Sequence, residues 1–293
     1  MRKIDDIISE VKIWGNKNIS YEPLDGGLSN YTYKVTADDV HYVLRVNGGQ
    51  NDFLNLSKPE EIKAIHQAHE IGIGVKIYTG ESNAEYIITE YKNARIVSNE
   101  RAHDPAYIKK FADILRKAHE ITGVNRRCSP FCLIEKYLSG AKELKVKIPD
   151  DLDAALEKMV DIEKRSTRNS KYTEKYCHND FYSINVLNDN GAVYLIDWEL
   201  SGVGDIFFDL ATISFSQVYS DNEDKLLLES YFGYYEDEFA GMMYDMKYMN
   251  MLREVAWALL HAGMKIEHVN HSFNYYNSAQ YFLGRIKDGF VTM

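Results

Sequence analysis

Polar side chains are concentrated in one segment of the chain, residues 176–205, which reads "YCHNDFYSINVLNDNGAVYLIDWELSGVGD". Asp197 directly follows the apolar run "VYLI", where a carboxylate is costly unless it is paired or holds a cation. Carboxylate and amide oxygens are the ligands that Mg²⁺ prefers, so Asp197 and Asn185 are candidate metal ligands. Asp180 is the candidate base that accepts a hydroxyl proton from an incoming nucleophile.

The spacing of these residues resembles the protein-kinase catalytic loop, H-x-D-x-x-x-x-N, which a strand pair and a metal-binding aspartate follow. His178, Asp180 and Asn185 match the loop, and Asp197 matches the aspartate. We expect His178 to be structural and to hold the loop by hydrogen bonds. The alternative is that Asp180 is a turn residue and that Asn185 and Asp197 only cap or form turns.

A glycine-containing turn in "LDGGLSNYTYKV" is a candidate phosphate-binding element. Gly26 and Gly27 let backbone N–H groups approach phosphates closely. Ser29 and Asn30 can add polar contacts. An ordinary hairpin turn would have the same composition, so both interpretations stay open.

The next predicted strand, "YVLRV", places Arg45 where a kinase has its phosphate-binding lysine. Arginine can do the same electrostatic work. Glu61, at the start of the following helix, can orient Arg45 through an ion pair. The alternative is that Glu61 is an ordinary acidic residue in a first helical turn.

The pattern of apolar residues changes along the chain. Residues 17–92 show alternating strands and one helix, and helical spacing predominates from about residue 104. Two short strands are predicted at "SINVLN" and "AVYLID", and the acidic run "SDNEDK" is predicted to be a solvated turn. The predicted fold class is α+β, with a β-rich N-terminal lobe (1–92) that binds nucleotide and a helical C-terminal lobe (93–293) that carries the catalytic loop and the acceptor site.

Composition excludes several classes of function. A net charge of −10 over 293 residues argues against a nucleic acid partner. No apolar run approaches the roughly 18 residues that span a bilayer, and Asp5 and Asp6 interrupt the stretch that a signal peptide would need. We therefore expect a cytoplasmic protein without a membrane partner. Three cysteines, with no histidine cluster nearby, argue against a disulfide framework and a zinc site.

Four segments resemble the choline/ethanolamine kinase family, a branch of the aminoglycoside-phosphotransferase-like kinases: "GGLSN", "VLRVNG", "CHNDFYSINVLN" and "LIDWELSGVGDIFFDLA". The resemblance runs from about residue 22 to residue 285. It implies a bilobed protein-kinase-like fold, ATP as phosphoryl donor, Mg²⁺ and a small amino-alcohol acceptor. It also places adenine at the hinge between the lobes, around Glu90 and Tyr91.

The resemblance assigns residues to the acceptor site as well. Glu199 and Asp209 belong to the family's second acidic motif, and we assign both to substrate binding. Trp257 and one of the adjacent Tyr275 and Tyr276 are the expected choline-lining aromatic residues. A quaternary ammonium cannot donate hydrogen bonds and is recognised by aromatic faces and nearby negative charge. The alternative is that these rings are helical core.

The sequence departs from the family at Leu260, where choline kinases often have a second tryptophan. The choice between choline and ethanolamine therefore stays open. We predict a kinase that transfers the γ-phosphoryl group of ATP to choline, giving phosphocholine, with Asp180 facing the acceptor hydroxyl. The alternatives are ethanolamine, thiamine or an aminoglycoside as acceptor, or an inactive kinase-like binding protein.

Overall fold

An antiparallel β-sheet forms the base of the N-terminal part of the chain. The computed structural model describes residues 4–24, 30–47, 56–79, 85–168, 170–264 and 273–289. Within these ranges the sheet has five strands, in the order β1-β2-β3-β5-β4. The strands are β1 (Ile19–Pro23), β2 (Asn30–Ala37), β3 (Val40–Asn47), β4 (Ile77–Thr79) and β5 (Tyr86–Glu90).

The sheet separates two hydrophobic cores, because neighbouring side chains of a strand point to opposite faces. Ile88 lies in a small core that also contains Ile7 and Trp14 from the N-terminal segment. Its neighbour Ile87 lies in the large core, together with Ile62 of the helix after β3. Helices therefore cover both faces: α1 (Ile4–Glu10), which a 3-10 turn (Lys12–Trp14) follows, and α2 (Lys58–Glu70).

The C-terminal part is mainly helical. Its longest helix, α10, packs against α5, α8 and α11 and is buried over much of its length. In the part of the chain that the structure describes, no helix combines the length and the apolar character needed to cross a membrane. The helices are α3 (Asn99–Ala102), α4 (Pro105–Ala118), α5 (Pro130–Glu143), α6 (Leu152–Ser166), α7 (Ser170–Thr173), α8 (Ile206–Gln217), α9 (Asp221–Phe232), α10 (Asp237–Gly263) and α11 (Tyr275–Lys287).

Short strands fix the loops that carry the candidate catalytic residues. The segment 178–185 connects β7 to β8, and Asp197 follows β9. β7 pairs with β10, and β8 pairs with both β9 and β6. The strands are β6 (Arg95–Ile96), β7 (Lys175–Cys177), β8 (Val186–Asp189), β9 (Ala192–Leu195) and β10 (Gly202–Gly204).

The predicted fold class, a β-rich N-terminal part followed by a helical C-terminal part, is confirmed. The division at residue 92 stays a prediction. Two local predictions are wrong. Residues 183–185 of the predicted strand "SINVLN" form a 3-10 turn. The run "SDNEDK" begins α9, because Ser220 and Glu223 form a capping box that starts a helix.

Close backbone packing beside β10 gives a first prediction. A Cβ atom on Gly202 would lie 2.8 Å from both the Arg126 carbonyl oxygen and the Cys128 Cβ. Gly202→Ala should therefore force the two segments apart and lower the free energy of unfolding by about 1–3 kcal/mol. Urea and thermal melts measure this loss.

The matched control is Gly241→Ala in α10, where an added Cβ would meet nothing within 4 Å. Alanine is more favourable than glycine in the interior of a helix, so the free energy of unfolding of this variant should rise by up to about 1 kcal/mol. Equal melting temperatures of the two variants would contradict the close backbone approach at Gly202.

Candidate active site

The carboxylate of Asp209, in the first turn of α8, anchors the segment 178–185. Its Oδ2 accepts a hydrogen bond from the His178 backbone N–H (2.7 Å), and its Oδ1 accepts one from the Asn179 N–H (2.6 Å). His119 Nε2 lies 3.0 Å from Oδ2. Asp209 is 0% exposed. Its side chain therefore contacts the candidate catalytic loop, and the substrate contact expected for it stays a prediction.

His178 connects this loop to the segment that carries Asp197. Its Nε2 lies 3.0 Å from the Ile196 carbonyl oxygen, and its ring contacts the Trp198 ring edge-on. Burial lowers the pKa of His178 to about 4, so the imidazole is neutral at physiological pH. These contacts are those of a structural residue.

Asp180 and Asn185 are held together within the loop. The Asn185 Nδ2 donates to the backbone oxygen and to Oδ2 of Asp180, both at 2.9 Å. The amide nitrogen is thereby engaged, and the amide oxygen is the atom suited to a metal ion. Burial raises the pKa of Asp180 to about 7, although the nearby Arg253 opposes this shift. A carboxylate whose pKa lies near neutrality is suited to general base catalysis.

Two cations meet at Glu61, which is 1% exposed. Arg45 forms an ion pair with Glu61, and its Nη1 also lies 3.0 Å from Asp197 Oδ1. Lys58 Nζ lies 3.0 Å from the other oxygen of Glu61. Burial and the neighbouring Arg45 lower the pKa of Lys58 to about 8. The structure thus brings Arg45 and Glu61 together and adds Lys58, which the sequence did not suggest.

Asn30 connects the N-terminal sheet to the acidic segment after β9. Its Nδ2 donates to Glu199 Oε2 at 2.8 Å, and among the described residues its buried Oδ1 has no hydrogen-bond partner. Burial and the nearby Asp197 raise the pKa of Glu199. The other residues predicted for this turn lie outside the described residues: Gly26, Gly27 and Ser29.

The predicted hinge lies at the end of β5. The Glu90 N–H donates to the Lys76 carbonyl oxygen (2.7 Å), and its carboxylate pairs with Lys92 (2.9 Å). The Tyr91 ring lies under the Lys34 ammonium, 5.0 Å from its centroid. The adenine contact of Glu90 and Tyr91 stays a prediction.

A cavity of about 280 Å³ is lined by six of the described candidate residues, among them Asp180, Asn185 and Asp197. Trp257 lines it, whereas Tyr275 contacts Trp257 edge-on (ring centroids 5.6 Å apart) and Tyr276 packs against the large core. Neither tyrosine is among the described residues that line the cavity. The lining residues are Asn30, Leu56, Tyr137, Asp180, Tyr182, Ile184, Asn185, Asp197, Glu199, Leu200, Arg253, Glu254 and Trp257.

Three aromatic residues are among those that line the cavity, Tyr137, Tyr182 and Trp257, and we refer to Trp257 as its aromatic wall. The imidazole of His261 lies over the indole of Trp257 with ring centroids 3.9 Å apart and an interplanar angle of 31°, and so covers one indole face. Burial lowers the pKa of His261 to about 4, so the stacked ring is uncharged. Leu260, at the position of the family's second tryptophan, is 0% exposed and belongs to the large core.

Sequence reasoning missed the charged residues of α10. Arg253 is 5% exposed, and its Nη1 donates to the Asn179 carbonyl oxygen (2.9 Å) and lies 3.5 Å from Asp180 Oδ1. Glu254 lines the same cavity. An Arg-Glu pair inside the otherwise apolar run "MLREVAWALL" (251–260), with Glu254 one turn before Trp257, is the signal that could have found them.

Carboxylates from α2 and from the segment after β9 form a candidate site for a hard cation. Carboxylate oxygens of Glu61, Asp197 and Glu199 lie within 4.8 Å of one another. Asn185 lines the same cavity as Asp197 and Glu199, and carboxylate and amide oxygens are ligands that suit Mg²⁺.

Comparison with known proteins identifies the family of the chain. The phosphotransferase enzyme family (APH) matches residues 20–244. Protein LicA of Haemophilus influenzae is 25% identical over 254 residues, which cover 83% of this chain and 73% of LicA. The chain therefore belongs to the phosphotransferase enzyme family, and the predicted enzyme class, a phosphotransferase, is confirmed.

Two solved structures share the fold. A choline/ethanolamine kinase family protein from Mesorhizobium loti has a TM-score of 0.76 at 22% identity, covering 97% of this chain and 92% of that protein. Choline kinase LicA from Streptococcus pneumoniae has a TM-score of 0.76 at 24% identity, covering 95% and 98%. The chain thus has the protein-kinase-like fold of these neighbours.

The position of Asp209 gives the second prediction. Asp209→Asn leaves one oxygen for two buried N–H donors and turns its amide group towards one of them. An unsatisfied buried donor costs about 1–3 kcal/mol, so the variant should be destabilised by about that amount. The KM for the acceptor should stay within about twofold in the folded fraction, which melts and steady-state kinetics measure together.

Asp221→Asn, an exposed position in the first turn of α9, is the control and should change stability by less than about 0.5 kcal/mol. A raised acceptor KM in Asp209→Asn without a loss of stability would restore the predicted substrate contact.

Proposed function

We propose that the chain transfers the γ-phosphoryl group of ATP to the hydroxyl group of choline, giving phosphocholine and ADP. The observation that carries the proposal is that a candidate base, candidate metal ligands and an aromatic wall line one cavity. The cytoplasmic location expected from the sequence stays a prediction.

The base is Asp180. It accepts the proton of the acceptor hydroxyl as the oxygen bonds to the γ-phosphorus and the bond to the bridging oxygen of ADP breaks. The proton later leaves Asp180 for solvent. Asn185 holds the carboxylate from one side at 2.9 Å, which keeps it oriented towards the cavity that it lines.

The phosphate groups need positive charge. Arg45 lies between Glu61 and Asp197, so it is oriented before a nucleotide arrives. When bound, Mg²⁺ would supply charge neutralisation at the phosphate oxygens, and Asp197 and Asn185 would hold it.

The residues at the acceptor end of the cavity favour binding of a cationic alcohol. Trp257 offers an aromatic face, and such contacts with a cation contribute roughly 0.5–2 kcal/mol. Ethanolamine is the second candidate acceptor, because Glu254 lies beside Trp257 in the same cavity and the aromatic wall lacks a second tryptophan.

The third prediction is a substrate panel. With ATP and Mg²⁺, the enzyme should phosphorylate choline with the highest kcat/KM among choline, ethanolamine, thiamine and an aminoglycoside. Product is followed by ³¹P NMR and ADP release. Asp180→Asn should lower kcat by about 10²–10⁴ and leave ATP binding nearly unchanged.

Several outcomes would count against the proposal. ATP binding without transfer to any acceptor would favour the inactive binding protein. A preference for the aminoglycoside would move the chain to another branch of the family. Activity of Asp180→Asn within threefold of the native enzyme would remove Asp180 as the base.

The fourth prediction concerns the metal. Asp197→Ala should abolish turnover at ordinary Mg²⁺ concentrations, because an anionic ligand is lost. Asn185→Ala should be milder, because water can replace a neutral ligand. Activity is titrated against Mg²⁺ in both variants, and an unchanged half-saturation in both would rule out these two ligands.

A further inference from the structure

Glu254 and Trp257 lie one turn apart on α10, and both line the cavity that contains Asp180. Residues three apart on a helix lie on the same face. The Glu254 side chain is 17% exposed. A carboxylate therefore stands beside the aromatic wall at the acceptor end of the cavity.

The carboxylate is fixed in position by two neighbours. Glu254 Oε1 accepts a hydrogen bond from the Tyr182 hydroxyl at 2.6 Å and one from Arg253 Nη2 at 3.1 Å. Tyr182 belongs to the catalytic loop, and Arg253 also contacts Asn179 and Asp180 of that loop. Glu254 thus has a defined place relative to the candidate base, with Oε2 as its second acceptor atom.

The charge of the cavity favours a cation. Among its described lining residues are four carboxylates, those of Asp180, Asp197, Glu199 and Glu254, and one guanidinium, that of Arg253. Excess negative charge in the cavity attracts an ammonium group and repels an anionic alcohol.

The two walls differ in chemistry. Trp257 offers one indole face, since His261 covers the other, and a ring face binds any cation, methylated or not. A carboxylate oxygen additionally accepts hydrogen bonds, which only an ammonium group with N–H bonds can donate.

We propose that Glu254 is a specificity-determining residue of the acceptor site, and that it binds acceptors through the N–H groups of their ammonium ion. Trp257 then favours binding of acceptors with a quaternary ammonium group, and Glu254 favours binding of acceptors with a primary, secondary or tertiary ammonium group. This inference rests on the proposed function, because it assumes that the cavity holds an amino alcohol.

The test is the fifth prediction and uses a graded series of acceptors: ethanolamine, its N-methyl and N,N-dimethyl derivatives, and choline. Charge-assisted hydrogen bonds are stronger than neutral ones, so Glu254→Gln should lower kcat/KM for ethanolamine about 30-fold. The loss should shrink with each methyl group and be severalfold for choline. The choline-to-ethanolamine ratio should therefore rise.

Trp257→Ala should move the same ratio in the opposite direction, with a rise in the choline KM of up to about 30-fold. Tyr182→Phe removes the hydroxyl that orients Glu254 and keeps the carboxylate. It should give a smaller loss with the same order of acceptors. The control Glu238→Gln, an exposed residue of the same helix, should leave all four values within twofold.

Equal losses for all four acceptors in Glu254→Gln would overturn the inference and leave the proposed function intact. No turnover of any acceptor by the native enzyme would overturn both. If a melt shows that Glu254→Gln does not fold, Tyr182→Phe decides: a graded loss supports the inference, and a uniform loss or none overturns it.

Discussion

The carboxylate of Asp209 is fully buried and accepts hydrogen bonds from two consecutive backbone N–H groups, those of His178 and Asn179. A buried charge is stable only when its hydrogen-bonding capacity is used, and here two N–H donors and His119 surround it. The same bonds hold Asn179 at a φ of 63°, in the left-handed region that few residues adopt. Asp180 follows this fixed turn directly, and the Asn185 amide is held to Asp180 by two hydrogen bonds.

A second constraint acts where the N-terminal sheet meets the helical part. Arg45 contacts both Glu61 and Asp197, and Asn30 contacts Glu199. Two strands of the sheet are thereby tied to the acidic segment after β9. Ion pairs with little exposure stabilise a fold weakly, because desolvation offsets much of their attraction. These ion pairs orient the side chains: Arg45, which would bind phosphate, and Asp197, which would hold Mg²⁺, are held in contact with each other.

The sequence was sufficient for the fold class, because the change from alternating to helical spacing of apolar residues extends over the whole chain. It also brought Asp180 and Asn185 together as candidates, because they lie five residues apart in one short segment. It was insufficient where function depends on contacts between distant segments. The backbone contacts of Asp209 could not be predicted, since the resemblance gave its motif without its burial. Arg253 and Glu254 lie in a helix whose apolar residues predict core, and only the packing of α10 against the catalytic loop reveals their partners. The acidic run after Ser220 was likewise predicted to be a turn, but the capping box of Ser220 starts a helix there.

The guanidinium of Arg253 contacts Asp180 and Glu254 at once, so the base and the acceptor wall share one positive charge. In the proposed reaction this sharing limits the choice of acceptor. A neutral alcohol would leave Glu254 desolvated with only the shared guanidinium of Arg253 to offset its charge, which is unfavourable in a partly buried cavity. A cationic alcohol supplies the missing positive charge and leaves Arg253 in contact with Asp180. The positive charge of the acceptor therefore balances the negative charge of the cavity. The acceptor hydroxyl then meets Asp180 while Arg253 still contacts this carboxylate.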